Sequence, residues 1–458
     1  FLYDAKLTGS NGEASCASCH VFGDMDDLAW DLGDPDLLPE DNPNPCPPGV
    51  FGVCNLLDFD PLKGPMTTQS LRGLENAGPM HWRGDRTGGS DGGDPLDTSA
   101  AFELFNVAFP GLVGRDEGEL SEDDMRAFTD FALQITYPPN PIRRLDNSLR
   151  PDEQAGFDLY FGRITDTVAN CNGCHVLERA SGLFGTSGGS TFEGETMDFT
   201  VPHRRNAYQK VGMFGMAPNP LFTDADTDFT GDQVRGTGFL HDGSIPTVAD
   251  FLAADVFQGV SATDRRNLEA LVMAFDTNLA PIVGQQVTLA SESESDTDAR
   301  VELLVERAGT AFEIPNQGTA TECDLVVHGV IAGEAMAWLL RMDGDFESVD
   351  GVISEEDLLV LAGTPGQELT FTCAPPGSGS RMAGLEPGGT GGAGGMGGDG
   401  GAGAAGGAGG AGGAGGSPSG DGDGGCGCVV GPSPRGGLSN AALAIATVFL
   451  LTAMRRRF

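Results

Sequence analysis

Basic residues are scarce in this 458-residue chain, and their scarcity excludes a large class of function. Only 26 residues are Lys or Arg, against 66 Asp or Glu, so the formal net charge is −40. Binding to nucleic acid needs clustered basic side chains against phosphate, so we expect no nucleic-acid partner. The acidity is spread along the chain and favours solubility, and attraction of a basic partner protein is the alternative. The length predicts two to four domains.

Histidine is also rare, with six residues in the chain, yet two of them end the same short motif. The motif C-x-x-C-H occurs at residues 16–20 and again at residues 171–175. Two thiols at this spacing add to the two vinyl groups of one porphyrin, and the next residue supplies an imidazole to the iron. A zinc site would need two further ligands near each pair, which the sequence does not offer. We therefore predict two covalently bound haem c groups.

The four residues of the two thiol pairs, Cys16, Cys19, Cys171 and Cys174, are thus predicted to attach the haems. His20 and His175 are predicted to be the proximal ligands of the two irons. Such an imidazole normally donates a hydrogen bond from its other ring nitrogen. The sequence does not show which groups accept it.

Four of the six remaining cysteines indicate where the chain resides. Cys46 and Cys54 lie in a Pro-rich insert, and Cys323 and Cys373 flank a later segment. We expect both pairs to be disulfides, which places the chain outside the reducing cytosol. Covalent haem attachment also occurs on the exported side of a membrane. The two arguments together predict the periplasm or the outer cell surface.

Residues 1–284 contain a degenerate repeat. Each half opens with a short aromatic helix candidate, at residues 1–3 and 157–161, and each closes with an amphipathic helix. Ser121 can cap the first closing helix, with Asp124 three residues on. The apolar stripe of the first helix is Met125, Phe128, Ala132 and Ile135, and that of the second is Leu268, Leu271, Val272 and Phe275. We predict a mainly α fold with two cytochrome c-like helical domains, residues 1–140 and 141–284.

The rest of the chain changes character after residue 284. Residues 285–376 are predicted to form a small β-rich domain tied by Cys323 and Cys373. Its expected strands lie at residues 287–289, 301–305, 325–327 and 369–372. Residues 377–425 become rich in Gly and Ala and cannot bury a core, so we expect a disordered, flexible linker.

The sixth ligands of the irons are less determined than the proximal ones. For the second haem we favour Met213, with Met216 and His241 as alternatives. For the first haem the neighbours Met80 and His81 compete, with Met66 more distant. We favour His81 slightly, and its alternative interpretation is a surface histidine.

A family resemblance follows from these motifs. The paired C-x-x-C-H halves, Arg205-Asn206 and the element F-L-H-D-G-S-I-P-T at residues 239–247 resemble the bacterial dihaem cytochrome c peroxidase and MauG-like family. The resemblance spans residues 1–284. Trp82-Arg83-Gly84-Asp85 is similar to that family's W-D-G-R element, whose tryptophan lies between the haems. It implies that Trp82 lies on the electron path.

The chain also departs from this family. No histidine precedes Trp82 at the place of the family's first distal ligand, and residues 253–257 contain neither Met nor Tyr at the place of its second. Ligation is therefore rearranged, and peroxidase activity does not carry over. Glu103 follows the tryptophan where the family keeps an acid for peroxide cleavage, but a glutamate on a helix surface is the favoured interpretation.

Two acidic stretches are candidate calcium sites, which makes Ca²⁺ a further candidate cofactor. The first contains Asp224, Asp226, Asp228 and Asp232, although Phe229 stands where an EF-hand has its turn glycine. The resemblance adds to this candidate, because the family binds calcium between its domains. A weaker second candidate comprises Asp343, Asp345, Glu347 and Asp350. The default interpretation of both is a solvated acidic loop.

Residues 426–458 resemble a C-terminal sorting tag of the MYXO-CTERM type. Cys426-Gly427-Cys428 precedes an apolar run from Ala441 to Met454 and three arginines, at 455–457. The run is short for a membrane span, which needs about 20 residues. The resemblance implies cleavage near the cysteines and anchoring at the surface, and an ordinary tail anchor is the alternative. At the other end the chain starts at Phe1, inside an amphipathic segment, and we expect that an upstream part is missing.

These features together predict an exported, surface-anchored dihaem c-type cytochrome. Its expected role is one-electron transfer with a redox partner protein or a small electron donor or acceptor. The alternative is an enzyme that reduces hydrogen peroxide at one haem and receives electrons through the other. In a third interpretation, residues 285–376 form a surface-binding module that carries the haem domains.

Overall fold

The structure is a computed structural model that describes residues 1–9, 12, 14–46, 58–166, 169–191, 199–212, 236–257, 259–315 and 317–385. The chain divides into two compact units, residues 1–393 and 394–458, and the second lies outside the described residues. The predicted C-terminal tag and most of the predicted linker therefore also lie outside them. None of the described helices is long and apolar enough to cross a membrane.

The first segment, residues 1–140, has short helices joined by turns. Its α-helices are Ala5–Thr8 (α1), Thr98–Glu103 (α2), Ala108–Gly111 (α3) and Glu122–Leu133 (α4). Its 3-10 turns are Cys16–Ser18, Val21–Gly23, Gly88–Asp91 and Leu104–Val107, and its strands Ala29–Trp30 (β1) and Met66–Thr67 (β2) pair antiparallel. The helix expected at residues 1–3 begins later, at Ala5.

The closing helix α4 forms as the sequence predicts. The Ser121 hydroxyl accepts a hydrogen bond from the Asp124 amide at 3.2 Å, which caps the first turn. Met125, Phe128 and Ala132 are buried along one face. They pack in the first hydrophobic core with residues that include Leu2, Phe102 and Phe109.

The second segment, residues 141–284, also has short helices joined by turns, but its helices pack in different pairs. Its α-helices are Pro151–Gly162 (α5), Cys171–Cys174 (α6), Ala207–Lys210 (α7), Val248–Phe251 (α8) and Ala262–Met273 (α9), and its 3-10 turn is Arg179–Ser181. Its strand pairs are Leu177–Glu178 (β3) with Leu183–Phe184 (β4), and Ser190–Thr191 (β5) with Phe199–Thr200 (β6).

Helices α5 and α9 pack closely because Gly156 has no side chain at their contact. A Cβ atom there would lie 2.1 Å from the carbonyl oxygen of Asn267. The predicted stripe of α9 is buried, as Leu268, Leu271 and Val272 join the second core together with Phe275. Ser261 caps α9 through the Asp264 amide.

The third segment is built on a six-stranded antiparallel sheet. Its strands are Gln286–Ala290 (β7), Ala311–Ile314 (β8), Gly318–Thr321 (β9), Asp324–Ile331 (β10), Glu334–Leu340 (β11), Phe346–Ser348 (β12), Gly351–Ile353 (β13) and Glu368–Ala374 (β14). Its helices are Ser295–Ala308 (α10), Glu355–Ala362 (α11) and Gly379–Met382 (α12). The strand order in the sheet is β13-β12-β11-β10-β14-β7, and β8 and β9 form a separate hairpin. This sheet agrees with the expected β-rich character of the segment.

The prediction of a mainly α fold is wrong. The structure has 31 % helix and 17 % strand. Besides the large sheet, the two haem-motif segments contain fewer helical residues than expected. Among their described residues, five of the nine α-helices (α1, α3, α6, α7 and α8) have only four residues. Left-handed glycines interrupt the chain between them. Gly78, for example, has φ of 90°, and a Cβ there would lie 2.5 Å from the Cα of Gly188.

One expected strand of the third segment is a helix instead. Residues 301–305 lie inside α10. Val301, Leu304 and Ala308 are buried, which is the three-and-four spacing of a helix face. The short apolar run Val301 to Val305 fits either element, and packing on the sheet decides it.

The third segment has its own hydrophobic core and one disulfide. The core includes Val287, Leu325, Val327, Trp338 and Phe371. Cys323 and Cys373 form the predicted disulfide, with their Cα atoms 5.3 Å apart. Closing a loop with a sequence separation of 50 residues stabilises the fold by about 4 kcal/mol in the chain-entropy model. In the first segment Cys46 is disulfide-bonded, and Cys54 lies outside the described residues.

A buried ion pair of the third segment is hydrogen-bonded to the second segment. The guanidinium of Arg307 donates to both carboxylate oxygens of Glu322, at 2.5 and 2.7 Å, and Asn147 donates to one of them at 3.0 Å. The guanidinium of Arg179 lies 4.0 Å from the ring centroid of Phe312. The domain boundaries at residues 140 and 284 stay predictions, since residues 1–393 form one compact unit.

Candidate haem sites

The first C-x-x-C-H motif forms a tight turn that contacts Leu2 near the N-terminus. The 3-10 turn Cys16–Ser18 is closed by a hydrogen bond from the Ser15 amide to the Ser18 hydroxyl, at 3.0 Å. The Ala17 amide donates to the carbonyl of Leu2 at 3.0 Å, which fixes the turn on the first core. His20 follows directly and is half-buried.

The second motif forms the single helical turn α6. The Asn170 side chain accepts from the Gly173 amide at 2.9 Å and caps that turn. The hydroxyl of Tyr160, on α5, donates to the carbonyl oxygen of His175. The motif is therefore held at both ends, by its own cap and by the second core.

The histidines of both motifs present the same ring nitrogen to a backbone carbonyl. His20 Nδ1 lies 2.8 Å from the oxygen of Gln69, and His175 Nδ1 lies 2.9 Å from the oxygen of Gly185. A carbonyl only accepts, so Nδ1 carries the proton in each ring and the lone pair is on Nε2. That tautomer is the one that binds a metal through Nε2.

Electrostatics keeps both rings neutral. Burial lowers the pKa of His20, and the nearby charge of His81 lowers it further. Burial holds the pKa of His175 well below its ordinary value, and the charge of Arg204 adds to this effect. Arg204 Nη2 lies 2.5 Å from His175 Nε2, so the guanidinium donates to the lone pair of that nitrogen.

The four motif cysteines are free thiols in the structure. Burial raises the pKa of each of them. Each pair therefore offers two unbonded thiols beside a neutral imidazole whose lone pair is on Nε2, which is the donor set that covalent haem c requires. At His175 that lone pair accepts from Arg204, so the guanidinium would have to give way to an iron. Within the described ranges, no three His, Cys, Asp or Glu side chains form a group that could hold a metal ion. The residues present fit haem better than zinc.

His81 lies near enough to His20 for its charge to lower the pKa of His20. Its backbone is left-handed, with φ of 66°, and its Nδ1 lies 2.9 Å from a carboxylate oxygen of Asp85. The ring packs edge-on to Phe105. The competing Met80 is buried in the first core, and Met66 packs in a small cluster with Trp82.

Asp85 contacts this histidine and two further basic side chains. It accepts from His81 and from Arg83, both at 2.9 Å, and Lys63 lies at 3.2 Å. Burial alone would raise the pKa of Asp85, but the charges and hydrogen bonds of these three residues hold it well below its ordinary value.

The candidate ligands of the second haem are only in part within the described residues. Met213 and Met216 lie outside them, as does the calcium candidate at residues 224–232. The ring of His241 stacks on Phe199 with centroids 4.1 Å apart and an interplanar angle of 10°. Burial lowers the pKa of His241. Its buried Nδ1 has no hydrogen-bond partner among the described atoms.

Trp82 lies where the two halves meet. Its indole Nε1–H donates to the carbonyl of Thr67 at 2.8 Å, and its own carbonyl accepts from the Thr200 amide at 2.7 Å. Phe199 packs against it, and Lys210 Nζ lies 5.0 Å from its ring centroid. Trp82 thus contacts residues of both halves.

The Thr67 backbone extends this junction to the H-D-G-S element. Its amide donates to the carbonyl of His241 at 2.7 Å, while its carbonyl accepts from Trp82. The aromatic series Trp82, Phe199 and His241 therefore crosses from the first half to the second.

Arg205, singled out in the sequence with Asn206, is 1 % exposed and also joins the halves. It donates to the carbonyl of Gly73 at 2.5 Å and to the Asn278 side chain at 2.9 Å. Its guanidinium lies 5.0 Å from the ring centroids of both Tyr137 and Phe184. Burial lowers the pKa of Arg205 to about 10.

Glu103 is exposed at the last position of α2. This agrees with the interpretation of a glutamate on a helix surface. The second calcium candidate does not form a group of metal ligands. Asp343 pairs with Arg341 at 3.0 Å instead, and Asp343 and Glu347 are exposed.

Sequence reasoning missed several residues of these sites. Gln69 and Gly185 act through backbone carbonyls, which any residue type provides, so the sequence carries no signal for them. Arg204 and Lys210 lie close in sequence to the recognised Arg205-Asn206 pair. Their basic character beside a haem motif in an acidic chain was the signal available.

Comparison with known proteins gives distant structural neighbours. No family model and no curated protein matches the chain. A structure of hydrazine synthase from Kuenenia stuttgartiensis, pressurised with xenon, aligns with a TM-score of 0.36 and 15 % identity over 59 % of this chain and 86 % of that one. A MauG-like protein associated with microbial copper homeostasis aligns with a TM-score of 0.29 and 17 % identity, over 60 % of this chain and 85 % of that one. At these values neither alignment carries a functional argument, which depends on the chain's own residues.

Proposed function

We propose that this protein is a dihaem c-type cytochrome whose function is one-electron transfer. The observation that carries the proposal is the matched state of His20 and His175. Each donates from Nδ1 to a backbone carbonyl, keeps its lone pair on Nε2, and follows two free thiols. The same preparation at two separate motifs supports two haem sites.

The chain's residues divide the work between attachment and ligation. Cys16 and Cys19 would attach the first haem, and His20 would bind its iron, with His81 as the proposed sixth ligand. Bound haem would supply an iron that cycles between two oxidation states by one electron. Asp85 would orient His81 by accepting from Nδ1, which leaves Nε2 available to the metal.

In the second site Cys171 and Cys174 would attach the haem, and His175 would bind its iron. Met213 is the proposed sixth ligand. Trp82 would carry the electron between the sites, because it contacts Thr67 of the first half and Thr200 and Lys210 of the second.

Peroxide reduction is the second candidate function. It needs an iron with a displaceable sixth ligand and an acid that helps to break the O–O bond. Glu103 is exposed at the end of α2, which does not provide the buried setting that would tune such an acid. The carrier function is therefore the better supported of the two.

We also propose export and surface anchoring. The Cys323–Cys373 disulfide supports an oxidising compartment. The C-terminal tag, proposed on its sequence, would anchor the protein after cleavage near Cys426 or Cys428. A redox protein or a small electron donor or acceptor is the proposed partner.

The decisive experiment counts and characterises the haems. The protein is produced in a host that matures c-type cytochromes, extracted with acid acetone, and weighed by mass spectrometry. We expect two retained haem additions and optical spectra of two low-spin haems. One addition or none would overturn the dihaem proposal. Fast peroxide turnover by the half-reduced protein, lost in Glu103→Gln, would overturn electron transfer as the function.

A further inference from the structure

Lys210 places a positive charge on the face of the tryptophan at the junction of the two halves. Its Nζ atom lies 5.0 Å from the ring centroid of Trp82. Lys210 is the last residue of α7 and is half-buried, and Trp82 is 6 % exposed. The contact is thus shielded from water, where a charge acts more strongly on its surroundings.

The charged groups near Lys210 do not cancel its positive charge. The charges that influence Lys210 are those of Arg204 and Asp24. The Asp24 carboxylate already accepts from Arg72 at 2.8 Å and from the Gln209 side chain at 2.9 Å. Arg204 adds a second positive charge. Within the described part of the chain, Lys210 is therefore a cation over the face of Trp82, with the charge of Arg204 near it.

The group that accepts the hydrogen bond from the indole of Trp82 is not a base that could take up its proton. Its Nε1–H donates to the carbonyl of Thr67, a backbone amide oxygen that is too weak a base to take a proton. Thr67 is itself buried. If an oxidant removed one electron from this indole, the ring would keep its proton and become a radical cation directly beside the Lys210 ammonium.

We propose that Lys210 keeps Trp82 in its reduced, neutral state by opposing the formation of this radical cation. The indole loses one electron in that step and the oxidant gains it, while no proton moves. Lys210 acts through Trp82 and is a positioning residue. The inference rests on the proposed function in one respect, the role of Trp82 between the haems: an electron would then pass through the indole without leaving it oxidised.

The experiment compares Trp82 with a second buried tryptophan of the same chain. Trp338 is 2 % exposed, and no described cation lies over its ring. Haem-loaded protein with ferric irons is exposed briefly to photogenerated ruthenium(III) tris-bipyridine. Mass spectrometry of peptides then gives the ratio of oxidised Trp82 to oxidised Trp338 in the wild type, Lys210→Met and Lys210→Arg.

We expect Lys210→Met to raise this ratio about tenfold or more, because one unit charge is removed at short range. Lys210→Arg should stay within about twofold of the wild type, since it keeps the charge. An unchanged ratio in Lys210→Met would overturn the proposal. So would an equal rise in both variants, because that result assigns the effect to packing.

The wild type provides a test that does not depend on how the variants fold. Burial, together with the charge of Arg204, lowers the pKa of Lys210 to about 8. The ratio should therefore rise between pH ~6.5 and pH ~9.5 as the ammonium loses its proton. A flat profile contradicts the proposal. The haem count tests the dihaem proposal separately from the effect of Lys210 on Trp82. If the protein held fewer than two haems, the ratio of oxidised Trp82 to oxidised Trp338 could still be measured and interpreted.

Discussion

The two haem-motif halves hold the histidines that we predict to be proximal ligands in the same way, and they differ in the groups that lie near those histidines. His20 finds its carbonyl acceptor at Gln69, 49 residues downstream, and His175 finds its acceptor at Gly185, ten residues downstream. Near His20 the structure places His81, oriented by Asp85. At His175 it places the guanidinium of Arg204. The two halves thus share the hydrogen bond made by Nδ1 and differ in the charged groups near the histidine ring.

The largest effect should come from removing one pair of thiols. Cys171→Ala with Cys174→Ala should eliminate one of two haem additions, because both thiols of a pair are needed for the full covalent attachment. Cys16→Ala with Cys19→Ala should eliminate the other. Mass spectrometry counts the additions, and each double variant is the control of the other. Loss of both haems in both variants would show that the halves do not mature separately.

His81→Ala should change the first half alone. If His81 is the sixth ligand, its loss leaves an open position, so the first haem should turn from low-spin to high-spin while the second keeps its spectrum. Optical and magnetic spectra of the ferric protein report this change. His328→Ala, at an exposed histidine of β10, is the control and should change neither haem. A low-spin first haem in His81→Ala would exclude His81 and favour Met80.

Asp85→Asn should destabilise the first half by about 3 kcal/mol near neutral pH, as expected for breaking a buried ionic group. The pKa of Asp85 is held below its ordinary value of 3.8. Its ionised form therefore adds stability that is complete above pH 3.8 and is lost as the pH falls through its pKa in the folded protein. Denaturant unfolding should show a difference between wild type and variant that shrinks in acid.

A surface ion pair provides the control for Asp85. Asp123 is almost fully exposed beside Arg126, and Asp123→Asn should change stability by less than about 1 kcal/mol at any pH. If Asp85→Asn behaved in the same way, the cluster around Asp85 would not contribute measurably to folding.

Arg204→Met should lower the potential of the second haem by about 60 mV, the equivalent of a tenfold change for one electron. The reason is that a cation beside His175 disfavours the more positive, oxidised iron, and the variant removes that cation. Redox titration followed by absorbance measures both potentials, and the first should stay constant. Arg266→Met, at a largely exposed arginine of α9, is the matched control. A rise in the second potential would contradict the assigned role of Arg204.

The smallest effect is expected for Glu103→Gln. Because Glu103 is exposed, slow peroxide turnover should change by less than about twofold, within the range of a surface substitution. Stopped-flow measurement with the half-reduced protein tests this. A fall of more than about tenfold would give Glu103 the role of an acid in peroxide cleavage.

Sequence reasoning succeeded where the signal is local. The cap at Ser121, the stripes of α4 and α9, and the strands around Val287 and Leu325 all follow from spacing within one element. It failed at Val301–Val305, where a short apolar run fits two kinds of element and tertiary packing decides. The mainly α fold class was wrong because motif resemblance says little about the loops between motifs.

In the candidate sites, too, local features follow from the sequence and tertiary contacts do not. The motif residues follow from the sequence, but the acceptors of His20 and His175 are backbone oxygens with no residue signature. The placement of Lys210 on Trp82 joins residues more than a hundred positions apart. Such contacts depend on the whole fold, which one sequence without relatives does not display.

The contacts that Arg179 and Glu322 make between the second segment and the sheet segment affect how the molecule unfolds. Arg179 begins the turn between β3 and β4, and the residue after β4 is Gly185, whose carbonyl holds the ring of His175. The sheet segment supports that turn through the contact of Phe312 with Arg179. The Arg307–Glu322–Asn147 bonds attach the same sheet segment to Asn147, elsewhere in the second segment. We expect these two segments to melt as one cooperative unit. A fragment cut at residue 284 should therefore exchange the amide hydrogens of residues 177–185 faster than the full chain does.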